Sequence, residues 1–196
     1  QSDRGVVYLD IIRRGTSTVL AVAIYTLRKH WAGPVTIFVD DVTRELAERI
    51  AAAAGDVEIV ILKPEHRAYA VKPQLPALSP YKFTAQIDAD TMVVAPINDL
   101  FPTRPNELRI TSFGGWVSTG PRMSGRIRDW LPYDPERVAR QLAKPWPSIN
   151  TGVVAYGNES TVARIHWLEE TLKRPKSFMA DELAAQNLLG EHEDEI

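Results

Sequence analysis

Two aspartates separated by one residue, Asp88 and Asp90, are the side chains whose type and spacing point most directly to chemistry. They follow Phe83–Ile87, a mostly apolar run that predicts a buried strand. Because residues i and i+2 of an extended chain point the same way, we expect both carboxylates to reach one cation, directly or through water. Buried carboxylates need such a positive partner to offset their desolvation. The alternative is a strand that ends at the surface with two solvated acids.

All-oxygen ligation of this kind is typical of Mg²⁺ or Mn²⁺ and argues against zinc. Such an ion would bridge the carboxylates to a diphosphate and stabilise that diphosphate as it leaves. This is the chemistry by which a nucleotide sugar is split. An Asp-x-Asp sequence is common by itself, so its significance depends on the elements that precede it.

The elements before the aspartate pair predict an α/β fold. Strands are predicted at 5–9, 35–39 and 57–62, and the two helices between them at Thr16 or Ser17 onward and at Thr43–Ala54. The second helix is expected to turn Leu46, Ile50 and Ala54 inward and to end at Gly55. Alternating strands and helices imply a parallel sheet with right-handed crossovers. Ligands bind such sheets beyond the carboxyl ends of the strands, where the aspartate pair falls.

The second half of the chain is less regular. Four prolines within 63–80 exclude a long helix there. Further strands are predicted at 107–112 and 151–156, and further helices at 162–172 and 181–189. We expect one domain over residues 1–196. The acidic segment 190–196 indicates either a solvated tail or a chain that continues further.

Composition excludes several classes of protein. The net charge of -2 gives no reason to expect nucleic acid as a partner. The sequence contains no cysteine, which excludes disulfides and thiolate metal sites and is compatible with a cytoplasmic location. No apolar run approaches the roughly 20 residues of a membrane span. Nothing indicates the oligomeric state.

Four segments resemble, in order, segments of the glycogenin-like, family 8 glycosyltransferases. Lys72 stands where the family has a Lys or Arg, and Tyr81–Phe101 is similar to the family's Asp-x-Asp segment with its following Asp-Leu-Phe. Trp146–Ser160 is similar to the Asn-Ser-Gly-Val strand, and Phe178–Leu189 is similar to the Asp-Gln helix start. The resemblance implies a single Rossmann-like nucleotide-diphospho-sugar transferase domain of glycosyltransferase-A type. Its central sheet is expected to be mainly parallel and flanked by helices.

The resemblance also implies an activity. A hexosyltransferase-like enzyme would move a sugar, with retention, from a UDP-sugar to a sugar, a glycan or another hydroxyl acceptor, with Mn²⁺ or Mg²⁺ as cofactor. Asp88 and Asp90 resemble its metal ligands, with Asp90 binding directly and Ala89 completing the donor contact. Lys72 resembles a phosphate contact, although a solvated lysine is the alternative. Asp10, just past the first strand, is assigned to the nucleotide base from its position alone.

On the acceptor side, the resemblance places Asn150 against the donor sugar and the acceptor. Asp181 and Glu182 would contact the transferred sugar or the acceptor hydroxyl. Simpler interpretations remain open, because Asn before Thr-Gly is typical of a turn. Carboxylates in the first turn of a helix are also stabilised by the helix dipole without any catalytic role.

The sequence departs from the family at the third metal ligand. The family usually ends with a His, a Gly and then Lys-Pro-Trp, and that His is commonly the ligand. Here Lys144–Trp146 precedes the Asn-Thr-Gly strand, and His192 follows the last helix too closely for the role. The third ligand is therefore not identified.

Three other functions remain as alternatives. Ile87–Val93 loosely fits the motif of a haloacid-dehalogenase-type phosphatase that uses Asp88, although that motif ends the first strand and three strands precede it here. A non-catalytic nucleotide- or sugar-binding module would keep the fold without needing Asp181 and Glu182. A nucleotidylyltransferase would carry a Gly-rich, Arg-bearing loop after the first strand. Arg13–Gly15 matches such a loop only weakly.

Overall fold

A computed structural model describes residues 3–11, 16–63, 68–116, 131–132, 134–143, 147–173, 179–189, 191–192 and 196. Its centre is a six-stranded sheet in the order β3-β2-β1-β4-β6-β5. The strands are β1 (Arg4–Asp10), β2 (Val35–Val39), β3 (Val57–Ile61), β4 (Phe83–Asp88), β5 (Leu108–Trp116) and β6 (Pro147–Gly157). Strands β1 to β4 pair in parallel, and β6 runs antiparallel to both β4 and β5.

The helices are α1 (Thr16–Arg28), α2 (Arg44–Ala54), α3 (Ala68–Val71), α4 (Leu75–Leu78), α5 (Pro135–Ala143), α6 (Trp167–Leu172) and α7 (Ala180–Leu189). A 3-10 turn, Lys72–Gln74, joins α3 to α4, and a π-helical turn, Val162–His166, leads into α6. The predicted α/β architecture with a mainly parallel sheet is confirmed. None of the helices among the described residues combines the length and the apolar character of a membrane-spanning segment.

Residues 68–78 form only short helical pieces, as the prolines predict. Pro73 and Pro76 lie in the first turns of Lys72–Gln74 and α4, where a missing N–H costs no intrahelical hydrogen bond. This segment matters for the site because Lys72 lies in its 3-10 turn rather than in a regular α-helix.

The core has two layers, one on each face of the sheet. On one face Val6 and Tyr8 of β1 pack with Leu20 and Ile24 of α1. On the other face Val7 packs with residues of the α4 region, and β5 and β6 pack against α6 and α7. This alternation along β1 and β4 decides which side chains can meet at the strand ends.

Two details of the prediction are wrong. Leu46 is exposed at 38%, whereas Ala47 is fully buried. The buried face of α2 centres near Ala47 and Ala54, and Leu46 lies about 100° around the helix from Ala47. Strands β5 and β6 are also longer than predicted, because register shifts interrupt their pairing and disturb the alternation of apolar residues. Gly55 ends α2 as predicted, with φ at 65°.

Glu107, just before β5, predicts a pH-dependent stability. Its carboxylate accepts hydrogen bonds from the Thr103 and Arg104 N–H groups and from Arg109 Nε at 2.6 Å. Burial alone would raise its pKa, but these hydrogen bonds outweigh burial and hold the pKa at about 2. Because the pKa is lower in the folded protein, the stabilisation is present above the ordinary pKa and is lost as the pH falls toward 2.

We expect Glu107→Gln to lower the free energy of unfolding by about 1–2 kcal/mol at pH 7, because solvent screens the charges of this partly exposed pair. At pH 3 the difference from wild type should fall below about half of that value. Urea unfolding at both pH values measures it, with Glu48→Gln in an exposed pair as the control. A loss equal at the two pH values would show that the charge of Glu107 is not responsible.

Candidate active site

The site lies where the strand order reverses. Strands β2 and β3 continue from β1 in one direction, and β4 lies on its other side. Asp10 is the last residue of β1 and Asp88 the last of β4, so each ends a strand beside this reversal. The crevice beyond the carboxyl ends of strands at such a point is where open α/β sheets bind ligands.

Asp10 and Asp88 leave the sheet on opposite faces. Leu9 pairs with Asp88 in the parallel register, so alternation places Asp10 with Tyr8 on the α1 face. Asp10 is 1% exposed, and its backbone carbonyl accepts a hydrogen bond from Thr43 Oγ1 at 2.5 Å. The structure therefore places Asp10 and Asp88 at the same edge of the sheet but on opposite faces.

Lys72 is the centre of a charged cluster, and the interpretation as a solvated lysine is wrong. Its Nζ lies 2.7 Å from Asp88 Oδ1 and 3.4 Å from Asp181 Oδ2, and it donates to the Thr151 carbonyl at 3.1 Å. An ammonium has three N–H donors, and here three oxygens surround it. Only 13% of the side chain is exposed. Lys72 thereby links β4, β6 and α7.

Both partners in the shorter ion pair have shifted pKa values. Burial would lower the pKa of Lys72, but the carboxylates of Asp181 and Asp88 outweigh burial and raise it, so the ammonium stays charged at neutral pH. Burial raises the pKa of Asp88, the Lys72 charge opposes this rise, and the charges of Asp181 and Asp90 add to it. A further cation beside Asp88 would therefore be favoured.

Asp90 lies beyond the end of β4, so the alternation of side chains along a strand does not apply to it. Strand β4 ends at Asp88, and the Thr91 N–H bonds back to the Asp88 carbonyl at 3.0 Å, which closes a turn over Ala89 and Asp90. Ala89 packs against the core, whereas Asp90 is exposed. The Asp90 charge nevertheless adds to the rise in the pKa of Asp88.

A second polar group contacts Lys72 through Asp181. It consists of Asn150, Asp181 and Glu182. Asn150 Nδ2 donates to Glu182 Oε1 at 3.0 Å, and Thr151 Oγ1 donates to Asp181 Oδ2 at 2.7 Å. Asp181 and Glu182 are each 2% exposed. Because these hydrogen bonds join α7 to β6, the two carboxylates do more than cap a helix.

Two polar residues beside the cluster, Thr151 and Gln186, were not predicted from the sequence. Thr151 contacts both Lys72 and Asp181, and Gln186 Oε1 accepts the Ile149 N–H at 3.1 Å. A signal was available for Gln186, which lies four residues after Glu182 and so shares its helix face. None was available for Thr151, because its contacts depend on a shift of register between β5 and β6.

Gly152 provides room for the Asn150 side chain. Asn150 Oδ1 accepts the Gly152 N–H at 2.8 Å, so the amide folds back over the glycine. A Cβ at Gly152 would lie 2.6 Å from that oxygen and 3.4 Å from Asp88 Oδ2. The absence of a side chain at this position keeps Asn150 beside Asp88.

The oxygen donors fit a hard divalent cation. Within the described part of the chain, no three His, Cys, Asp or Glu side chains cluster as a complete metal site. Mg²⁺ and Mn²⁺ do not require one, since one or two carboxylates suffice when phosphate oxygens and water complete the coordination. Asp88 is 34% exposed and Asp90 is exposed, which leaves carboxylate oxygens accessible. His192 instead stacks on His166, with ring centroids 4.9 Å apart.

No family model and no curated protein sequence matches this chain. Solved structures of glycosyltransferases do match it, at low sequence identity. Mouse xyloside xylosyltransferase 1 superposes with a TM-score of 0.65 at 12% identity, over 99% of this chain and 84% of its own length. The galactosyltransferase LgtC, solved with donor and acceptor sugar analogues, gives 0.65 at 11% identity, over 93% of this chain and 69% of its own. GlyE of Streptococcus pneumoniae gives 0.62 at 16% identity, over all of this chain and 44% of its own.

At these identities the comparisons establish the fold. The described chain has the α/β fold of glycosyltransferase-A type that the sequence predicts. It spans less than half the length of GlyE, so the activity of that whole protein does not transfer to this chain.

Proposed function

We propose that the protein is a metal-dependent glycosyltransferase that moves a sugar from a nucleoside-diphosphate donor to a hydroxyl acceptor. The observation that carries this proposal is the pair of ion pairs that Lys72 makes with Asp88 and with Asp181. They lie where the strand order reverses in this fold. Lys72 joins a carboxylate suited to a metal to a buried carboxylate suited to a sugar.

On the donor side, Asp88, Ala89 and Asp90 form the turn at which the diphosphate would be held. Asp88 and Asp90 would hold Mg²⁺ or Mn²⁺, which would supply positive charge to the departing diphosphate. Lys72 keeps Asp88 and Asp181 together and adds a fixed positive charge beside the diphosphate. Asp10, at the end of the neighbouring strand, is assigned to the nucleotide base.

On the acceptor side, Asp181, Asn150 and Glu182 would orient the sugar and the incoming hydroxyl. Asp181 Oδ1 is buried and has no hydrogen-bond partner among the described residues. A buried carboxylate oxygen without a donor is unfavourable, and a sugar hydroxyl would supply the donor. Transfer needs two substrates held in register, and this second polar group beyond Lys72 provides for the second one.

The finer assignments rest on the resemblance to the glycogenin-like family 8 enzymes. It supports a UDP-sugar donor, a hexosyl group and retention at the anomeric carbon. The names of the structural neighbours, a xylosyltransferase and a galactosyltransferase, support sugar transfer in general. We extend the proposal to a single domain over residues 1–196 and a cytoplasmic location. No observation favours the phosphatase, because Asp88 ends the fourth strand and its Oδ1 is engaged by Lys72.

Titration calorimetry with UDP tests the donor half of the proposal. We expect tight binding with Mn²⁺ and at least about tenfold weaker binding in excess chelator, because two carboxylates and a diphosphate repel one another without a cation. Asp90→Asn should remove most of the metal-dependent part and leave the fold intact. The matched control is Asp99→Asn, an exposed aspartate whose backbone carbonyl accepts a hydrogen bond from Arg109 near the start of β5. Equal affinity with and without chelator would contradict the proposal.

A further inference from the structure

Strand β6 carries an irregularity at the site. Ile110 of β5 pairs with Val154, but the next residue, Thr111, pairs with Asn150, so residues 151–153 of β6 lie between two consecutive pairs. Thr111 Oγ1 lies 2.9 Å from the Asn150 carbonyl and 3.2 Å from the Val153 carbonyl, and so closes both ends of this bulge. Bulges beside active sites commonly turn a side chain in a new direction.

The bulge allows two consecutive side chains of β6 to hydrogen-bond to the same helix, α7. In a regular strand Asn150 and Thr151 would point to opposite faces. Here Asn150 bonds to Glu182 and Thr151 bonds to Asp181, which are neighbours in the first turn of α7. Thr151 is 1% exposed, and its carbonyl also accepts from Lys72. One residue therefore holds both partners of the Lys72–Asp181 ion pair.

The hydroxyl of Thr151 makes the two oxygens of Asp181 different. Rotation about the last torsion of an aspartate is soft and roughly two-fold, so an ion pair alone would let either oxygen face Lys72. The Thr151 hydroxyl lies 2.7 Å from Oδ2, the same oxygen that lies nearer Lys72, and leaves Oδ1 without a described partner.

We propose that Thr151 is a positioning residue of the transfer site, which aims Asp181 so that Oδ1 accepts a hydroxyl of the transferred sugar. This inference rests on the proposed function and extends it to a residue that touches no substrate. It predicts that loss of the hydroxyl affects recognition of the sugar and the transfer step but not recognition of the nucleotide.

The test compares Thr151→Val, which keeps the shape and removes the hydroxyl, with Thr151→Ser, which keeps the hydroxyl. Thr36→Val is the matched control, because it also removes a buried hydroxyl hydrogen bond, to Tyr81, away from the site. Calorimetry with Mn²⁺ measures affinity for UDP and for a panel of UDP-hexoses and UDP-xylose. Turnover is measured as UDP released from the UDP-sugar that binds best, and kcat and KM are fitted separately.

For Thr151→Val we expect the affinity for UDP to stay unchanged. The UDP-sugar should no longer bind more tightly than UDP, and kcat should fall by about 10- to 100-fold. Thr151→Ser should restore kcat to within about threefold of wild type, and Thr36→Val should not change it per folded molecule. The inference is overturned if Thr151→Val matches Thr36→Val, or if Thr151→Ser is as impaired as Thr151→Val. A wild-type protein that binds neither UDP nor any UDP-sugar would instead overturn the proposed function, and the inference with it.

Discussion

Asp181→Asn is expected to lower the rate of sugar transfer by about 10²- to 10³-fold while leaving affinity for UDP with Mn²⁺ within about threefold of wild type. Asparagine keeps the volume of aspartate, so the buried site is not emptied. The side chain loses its charge, and its neighbour Lys72 loses one of two carboxylates. An interaction that strengthens in the transition state affects turnover more than it affects nucleotide binding. Glu182→Gln, which loses the charge facing Asn150, is expected to act in the same direction.

A capping role predicts a different outcome. If Asp181 only stabilised the start of α7, its loss would cost about 1 kcal/mol of stability and leave turnover per folded molecule unchanged. Glu45→Gln is the matched control, since Glu45 is an acidic residue in the first turn of α2. Melting temperature and turnover are measured on the same samples of each variant. Normal turnover in Asp181→Asn would show that the acceptor-side assignment mistakes a helix start for an active site.

Lys72→Met is expected to lower the free energy of unfolding by about 2–4 kcal/mol in the presence of chelator. Breaking a buried ion pair by removing one partner costs about 3–5 kcal/mol, and the partial exposure of Asp88 reduces that figure. The variant leaves Asp88 and Asp181 facing each other with no positive charge between them. Urea unfolding of the variant and of wild type measures the difference.

Divalent cations provide a second observation on the same variant. Mn²⁺ should restore part of the lost stability of Lys72→Met and should stabilise the variant more than wild type, because binding to the folded state alone adds stability. Lys29→Met is the matched control, since this exposed lysine lies over the Tyr25 ring and its loss should stay within about 0.5 kcal/mol. A Lys72→Met protein as stable as Lys29→Met would contradict the bridging role of Lys72.

The fold was predictable where hydrophobic periodicity and length agree. Strands β1, β2 and β3 and helices α1 and α2 lie within a residue or two of their predicted positions, and the parallel sheet follows from their alternation. Prediction was poorer in β5 and β6. Their register shifts break the period of two on which strand prediction depends, so β6 begins at Pro147 rather than Thr151.

For the candidate site, the sequence indicated the residues that cluster better than it indicated the contacts between them. Lys72, Asp88, Asn150, Asp181 and Glu182 were all singled out, and the structure joins them in one polar cluster. Sequence spacing could not show that Lys72 lies between two carboxylates, because residues from three separate segments meet there. It also could not exclude Asp10 from the cluster, since that depends on which face of β1 the side chain leaves.

We propose that Asp88 holds a metal ion at the place where a nucleotide sugar would be split. The most direct measurement is UDP release from a panel of UDP-sugars, with Mn²⁺ and with excess chelator, by wild type and by Asp88→Asn. We predict release by wild type with Mn²⁺ for at least one sugar, and loss of at least about 10²-fold with chelator or in Asp88→Asn. Asp99→Asn should behave as wild type. Intact UDP-sugars under every condition, with hydrolysis of a phosphate monoester that depends on Asp88, would contradict the account and favour a phosphatase.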